Sequence, residues 1–279
     1  MMKYDELVVG LKKNWLNSER FQQLTEEDRE KYGEPEIVFL DPVPGEEPAS
    51  VIKRRNWLNW RAAPYPAERH SEYLFRADDL QSKHPCILLS AVLDVSAGFD
   101  MYIGQFNKKQ RYQVRGRKAA NAGFSTRIIQ PAEFSSEIWD IIHSSEKRQG
   151  RIIAASYDSR PRDYNFPDYV ALNDPYYQDI CVGGFSPEGK MVAYILGKRV
   201  GEHVQYDEIM GHAEYVLSGV MFFTHDAFIR EVLEQEKVPK CLNYGPWYSG
   251  TNAFSAQGGL NFWKRKTRFL PSYLTTVSS

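Results

Sequence analysis

The stretch from Met191 to Ser279 constrains this chain most. It opens on a hairpin pattern, MVAYILGKRVGEHVQYDEIMG, and passes through HAEYVLSG into an apolar helix, VMFFTHDAFIREVLEQE. A short strand, KCLNYG, an aromatic loop, PWYSGTNAF, a basic helix, GLNFWKRKTR, and a last extended piece, FLPSYLTTV, complete it. Strand, strand, helix, strand, helix, strand is the order expected where a sheet opens around a ligand at a helix N-terminus. The fold class that follows is α/β, with a mixed, mostly antiparallel sheet flanked by helices.

Upstream, RYQVRGRKAANAGF reads as a basic helix stopped by Gly123, and FSTRIIQP as a strand. PAEFSSEIWDIIHSSEKRQG reads as an amphipathic helix with Phe134, Ile138, Ile141 and Ile142 on one side and Gly150 at its end. SRPRDYNFPDYVALNDPYYQD is long, proline-rich and aromatic, the composition of a functional loop or lid. DICVGGFSPEGKMVAYILGKRV is a hairpin turned at SPEGK. Nearer the start, Cys86 to Val95 has the makings of a strand, and Thr25 opens TEEDREKYG as a capping box with Asp28.

Composition excludes several classes. The formal net charge is -1, so no global field draws the protein to nucleic acid or membrane, although basic residues cluster at Lys53–Arg55, Lys108–Lys118 and Lys264–Arg268. The three cysteines are far apart, each among apolar neighbours, with no metal-ligand spacing. No apolar run has the length of a signal peptide core or a membrane span. A soluble, cytoplasmic protein without metal is expected.

Three places invite chemistry. The helix beginning after Gly219 is apolar around most of its circumference, so its first N–H groups need partners. Either Ser218 and Gly219 form an anion seat at its positive end, or Ser218 simply caps it. Tyr244 ends a short strand beside Trp247 and Tyr248, where open sheets bind ligands. In GLNFWKRKTR, Leu260, Phe262 and Trp263 anchor while Lys264, Arg265, Lys266 and Arg268 present either a solvated basic face or a phosphate clamp. A fourth set, Glu146 to Arg151 followed by Tyr157, offers two arginines, Arg148 and Arg151, with Gln149 between them. It is either a solvated helix end or a bidentate grip on phosphate or carboxylate.

From Asn107 to Ser279 the order of elements resembles the GCN5-related N-acetyltransferase (GNAT) fold, including its aminoacyl-tRNA-dependent Fem-type branch. RYQVRGRKAANAGF is similar to the basic helix before the first core strand of Fem-type domains. IMGHAEYVLSGVMFFTHDAFIREVL is similar to the strand, phosphate loop and helix of GNAT enzymes, and GLNFWKRKTRFLP to their last helix and final strand. Two departures stand out. HAEYVLSG replaces the usual glycine-rich Gln/Arg-x-x-Gly-x-Gly/Ala loop, leaving only Gly219 in common, and Arg268 stands where Gly is frequent. The resemblance divides the chain into residues 1–105, an N-terminal extension or partial second GNAT-like half, and residues 106–279, a GNAT-like acyltransferase domain.

The resemblance implies transfer of an acyl group from acyl-CoA, or from a charged tRNA, to a small-molecule, nucleotide or peptide amine. No metal or membrane enters this chemistry. An amine nucleophile must lose a proton, and the tetrahedral intermediate needs donors aimed at its oxyanion. Glu208, Asp207 and His212 are the candidate bases, and Tyr244 or Tyr248 the candidate acid. Ile209 to Gly211, with Ser218 and Gly219, would support the donor, and Lys264 would neutralise charge at the reacting centre or the donor phosphate. Arg148, Gln149, Arg151, Tyr157 and Tyr206 are assigned to acceptor recognition. A non-catalytic binding protein on the same fold is the reading from another class.

Overall fold

A computed structural model describes residues 25–40, 88–104, 111–145, 147–148, 151–152, 177–247 and 256–276. Helix α1 (Glu26–Tyr32) leads to strands β1 (Glu36–Leu40) and β2 (Leu88–Asp94), then to helices α2 (Phe99–Gly104) and α3 (Arg111–Asn121). Next come β3 (Ser125–Ile128), α4 (Ser135–His143) and a small hairpin, β4 (Lys147–Arg148) and β5 (Arg151–Ile152). The remainder runs β6 (Tyr177–Phe185), β7 (Met191–Val200), β8 (His203–Gly211), α5 (Val220–Leu233), β9 (Cys241–Pro246), α6 (Ala256–Lys266) and β10 (Leu270–Thr276). Thr25 caps α1, its Oγ1 accepting the N–H of Asp28 at 3.3 Å.

One sheet holds all strands except β4 and β5, in the order β1-β10-β2-β9-β8-β7-β6-β3. Among the described residues only β1–β10 and β8–β9 are parallel, and every other pairing in it is antiparallel. The expected architecture is therefore met: a mixed, mostly antiparallel sheet with helices on its faces. β2, from upstream of residue 106, lies between β9 and β10, so the last part of the chain pairs with the first. Among the described residues no helix is long and apolar enough to cross a membrane.

The two faces bury different sets. α5 packs Phe222, Phe228, Ile229 and Val232 against Ile180, Val182, Ile195 and Val204 of the sheet, while Val220 packs with Val192 and Ala193. Each such side chain contributes about 1.5–3 kcal/mol on leaving water. α3 covers α5 from outside, with Gly116 against the backbone of Phe223. On the opposite face α4 packs Ile138, Ile141 and Ile142 against Cys181, Phe185, Tyr194 and Leu196.

One expected boundary is corrected. α4 stops at His143, not at Gly150, and EKRQGR supplies the β4–β5 hairpin instead. The reason is local. His143 Nδ1 meets the Trp139 carbonyl at 2.8 Å and the Ser144 hydroxyl donates to the Ile141 carbonyl at 2.7 Å, so side chains satisfy the last turn and end it. Of the long aromatic loop, residues 159–176 lie outside the described residues, and its end, Tyr177 to Asp179, begins β6.

Candidate active site

β8 and β9 form a fork. They pair in parallel over only three positions, His203 with Cys241, Val204 with Leu242 and Gln205 with Asn243. Beyond that, β8 follows β7 as far as Gly211 and β9 follows β2 as far as Pro246. Side chains close the crotch where the backbones part. Asn243 Nδ2 donates to Gln205 Oε1 at 2.8 Å, Gln205 Nε2 donates to the Tyr206 carbonyl at 3.0 Å, and Asn243 Oδ1 accepts the Gly245 N–H at 3.0 Å. These three bonds take the place of the ladder that stops there.

On the α5 side of the fork, aromatic rings surround Tyr206. Phe228, Tyr244 and Phe269 lie 4.8, 5.1 and 5.5 Å from it, centroid to centroid. Its hydroxyl meets His225 Nε2 at 3.0 Å. Burial pushes the His225 imidazole down to about 3, so it is neutral at physiological pH, and pushes the Tyr206 phenol up. Lys264 completes the group. It is 2% exposed, its Nζ stands 5.1 Å from the Tyr244 ring, and burial lowers its ammonium to about 7. The basic run of α6 is thereby split: Lys264 is buried, Arg265 half-buried and hydrogen-bonded to the Tyr32 hydroxyl, and Lys266 exposed.

The opposite face carries the carboxylates. Leu196 pairs with Glu208 but Gly197 with Tyr206, so Asp207 is the extra residue of a β-bulge. The bulge turns two successive acids toward the α4 side. Asp207 Oδ2 lies 2.7 Å from Lys198 Nζ, and Glu208 Oε2 accepts from the Tyr194 hydroxyl at 3.1 Å. Asp179 pairs in register with Lys198, and burial pushes its carboxyl up to about 8, against the lowering pull of Lys198.

The Asp179 shift has a measurable consequence. The folded value exceeds the unfolded one of 3.8, so this contribution to stability is intact below 3.8 and is lost as pH rises toward 8. Asp179→Asn is expected to stabilise the protein by roughly 2–4 kcal/mol at pH 9 and by almost nothing at pH 4. Urea unfolding midpoints at the two pH values check this.

The start of α5 is closely fitted. Ser218 Oγ accepts the Val220 N–H at 3.1 Å and donates to the Tyr215 carbonyl at 2.7 Å. Gly219 has φ +90°, and a Cβ there would collide with the Arg115 carbonyl of α3. Met221 packs over Gly211, which brings the end of β8 under the first turn of α5. Both readings of this segment therefore have a footing: Ser218 serves one N–H, and Arg115 of α3 brings a cation to the first turn, its guanidinium 5.5 Å from the Phe222 ring.

The sequence-derived residues fall into two groups. Tyr206, Ile209, Tyr244 and Lys264 gather on the α5 side, while Glu208 and His212 lie on the α4 side. His212 has both ring nitrogens engaged. Nδ1 accepts the Glu214 N–H at 3.3 Å and Nε2 lies 3.8 Å from Asp140 Oδ2, which Lys190 holds at 2.7 Å. Arg148 and Arg151 pair in register across the β4–β5 hairpin, whereas Gln149, Tyr157 and Tyr248 lie outside the described residues. His225, Gln205 and Asn243 escaped the sequence reading. A histidine inside an otherwise apolar helix was the signal available for the first. Nothing local marks the other two, whose bond depends on strand register. Among the described residues no group of three or more His, Cys, Asp and Glu gathers as metal ligands do.

No protein-family model matches the chain, and no curated protein matches its sequence. Among solved structures it is similar to FemX, with a TM-score of 0.49 and 12% identity over 66% of this chain and 59% of that one. It is similar to L-PGS from Bacillus licheniformis, at 0.46 and 15% over 72% of this chain and 65% of that one. It is also similar to the C-terminal domain (DUF2156) of a putative lysylphosphatidylglycerol synthetase from Agrobacterium fabrum, at 0.45 and 16% over 87% and 78%. The chain thus spans less than two thirds of the first two, and at these TM-scores the likenesses carry no weight for what it does.

Proposed function

We propose that this protein is an N-acyltransferase, moving an acyl group from a thioester or ester donor, acyl-CoA favoured, to an amine by direct attack. The observation that supports this reading is the fork, with buried Lys264 and Tyr244 on one side and Glu208 on the other. The donor lies in the opening with its carrier toward the start of α5 and its carbonyl between the parted strands. The acceptor approaches from the α4 side. Its ammonium gives a proton to Glu208, the free amine attacks the carbonyl carbon, and a C–N bond forms as negative charge moves to oxygen. The backbone of Ile209 to Gly211 supports that oxyanion. Collapse breaks the C–S bond. The nitrogen loses its second proton to solvent, and the departing thiolate takes one from the Lys264 ammonium or the Tyr244 hydroxyl.

Thermal-shift screening against acetyl-CoA and longer acyl-CoAs identifies the donor, because a ligand at a hundredfold its Kd stabilises by about 2.7 kcal/mol. With that donor, Glu208→Gln is expected to lower turnover by about 10²–10⁴-fold and leave donor affinity unchanged. Unchanged turnover in Glu208→Gln, Tyr244→Phe and Lys264→Met together would remove the catalytic reading in favour of a binding protein on the same fold.

A second donor is supported by the exposed cations of α3, Arg115, Arg117 and Lys118, of which Arg115 adjoins the start of α5. An aminoacyl-tRNA would meet them through its phosphates, and its affinity would then fall steeply with salt. Acyl-CoA binding that survives where tRNA binding is absent decides for the first reading.

A further inference from the structure

The indole N–H of Trp247 is buried without an acceptor. The residue is 1% exposed, and among the described residues nothing accepts a hydrogen bond from Nε1. Buried donors are almost always paired, so one that is not asks what fills the gap. Trp263 of α6 repeats the pattern: its Nε1 is buried and unpaired, and its ring packs on the same apolar cluster. The shortage at this cluster is of acceptors.

The placement of Trp247 is specific. Along a strand, side chains three residues apart point to opposite faces. Gly245, at φ +69°, turns the chain between Tyr244 and Trp247 in a region that ordinary residues avoid. Both rings consequently join the cluster that holds Tyr206 and Phe269 on the α5 side of the fork. The backbone N–H of Trp247 donates to the Leu89 carbonyl at 3.0 Å, and Tyr32 meets its ring edge-on at 5.2 Å, so the indole is held from two sides. The walls there are apolar. A neutral carbonyl oxygen suits such walls, because it brings an acceptor without a charge to desolvate.

We propose that Trp247 selects the acyl group, its indole N–H donating to a carbonyl oxygen carried within the acyl chain, beyond the carbonyl that reacts. This rests on the acyl-CoA reading above. Tyr244 and Trp247 pack in one apolar cluster, so an acyl chain held beside Tyr244 meets the indole, and a purely methylene chain there leaves the N–H unpaired. The preferred donors are therefore β-keto or amide-bearing acyl groups.

Isothermal titration of the full chain with butyryl-CoA and acetoacetyl-CoA, which differ by one carbonyl, tests this. Wild-type protein is expected to bind acetoacetyl-CoA about tenfold more tightly. In Trp247→Phe, acetoacetyl-CoA should fall to the level of butyryl-CoA, whose own affinity stays put. Equal affinities in wild type overturn the proposal even if the variant does not fold, and a preference that persists in Trp247→Phe overturns it too. Failure of every CoA thioester to bind overturns the donor reading itself, and this inference with it.

Discussion

Lys264→Met is expected to raise the stability of the protein and abolish donor binding at once. The residue is 2% exposed, and burial holds its ammonium at about 7, below the ordinary lysine value of 10.5. Between those values the unfolded chain binds the proton that the folded chain has lost, so wild-type stability climbs as pH rises from 7 to 10.5. Below 7 the folded protein carries the whole cost of a buried charge, about 3–5 kcal/mol. Methionine fills a similar volume beside Tyr244 without the charge. Its advantage should be largest at pH 6 and fade toward pH 10.5, which unfolding curves across that range will show. Parallel curves for the two proteins would mean that the lysine is hydrated. Loss of donor affinity alongside the gain in stability is the signature of a charge kept for function.

Gly219→Ala is expected to have the largest effect of the opposite sign. Two penalties coincide at this residue, a φ of +90° and an Arg115 carbonyl where a Cβ would sit. Alanine must either strain the backbone or push α3 from α5, at a cost of about 3 kcal/mol or more. The melting temperature should drop by on the order of 10 °C, and donor binding should go with it because the first turn of α5 moves. Ser218→Ala is the comparison. It removes both hydrogen bonds of the Ser218 hydroxyl, to the Val220 N–H and the Tyr215 carbonyl, at a cost of about 0.5–2 kcal/mol, and leaves the helix contact untouched. A Gly219→Ala protein as stable as wild type would show that α3 and α5 do not meet there.

The two variants probe features of different legibility. Gly219 was visible as the glycine ahead of an apolar helix, and that helix begins where expected. Lys264 lay in a basic run that reads equally as a solvated face, and its neighbour Lys266 is exposed. The side of a helix that a cation takes is fixed by what packs against it. Here Tyr244 comes from one strand and Phe269 from the turn into another.

The same division runs through the molecule. Sequence alone determined the type and order of the elements from Arg111 onward apart from the β4–β5 hairpin, the hairpins at SPEGK and after Val200, and the burial of α5. These depend on periodicities of two and 3.6 residues and on turn residues, all contained in short windows. Tertiary structure alone decided that β2 enters between β9 and β10, that Asp207 bulges, that β8 and β9 part after Gln205 and Asn243, and that His225 holds Tyr206. Each of those is a matter of register between segments far apart in the chain, and a shift of one residue in a strand would send every side chain on it to the other face.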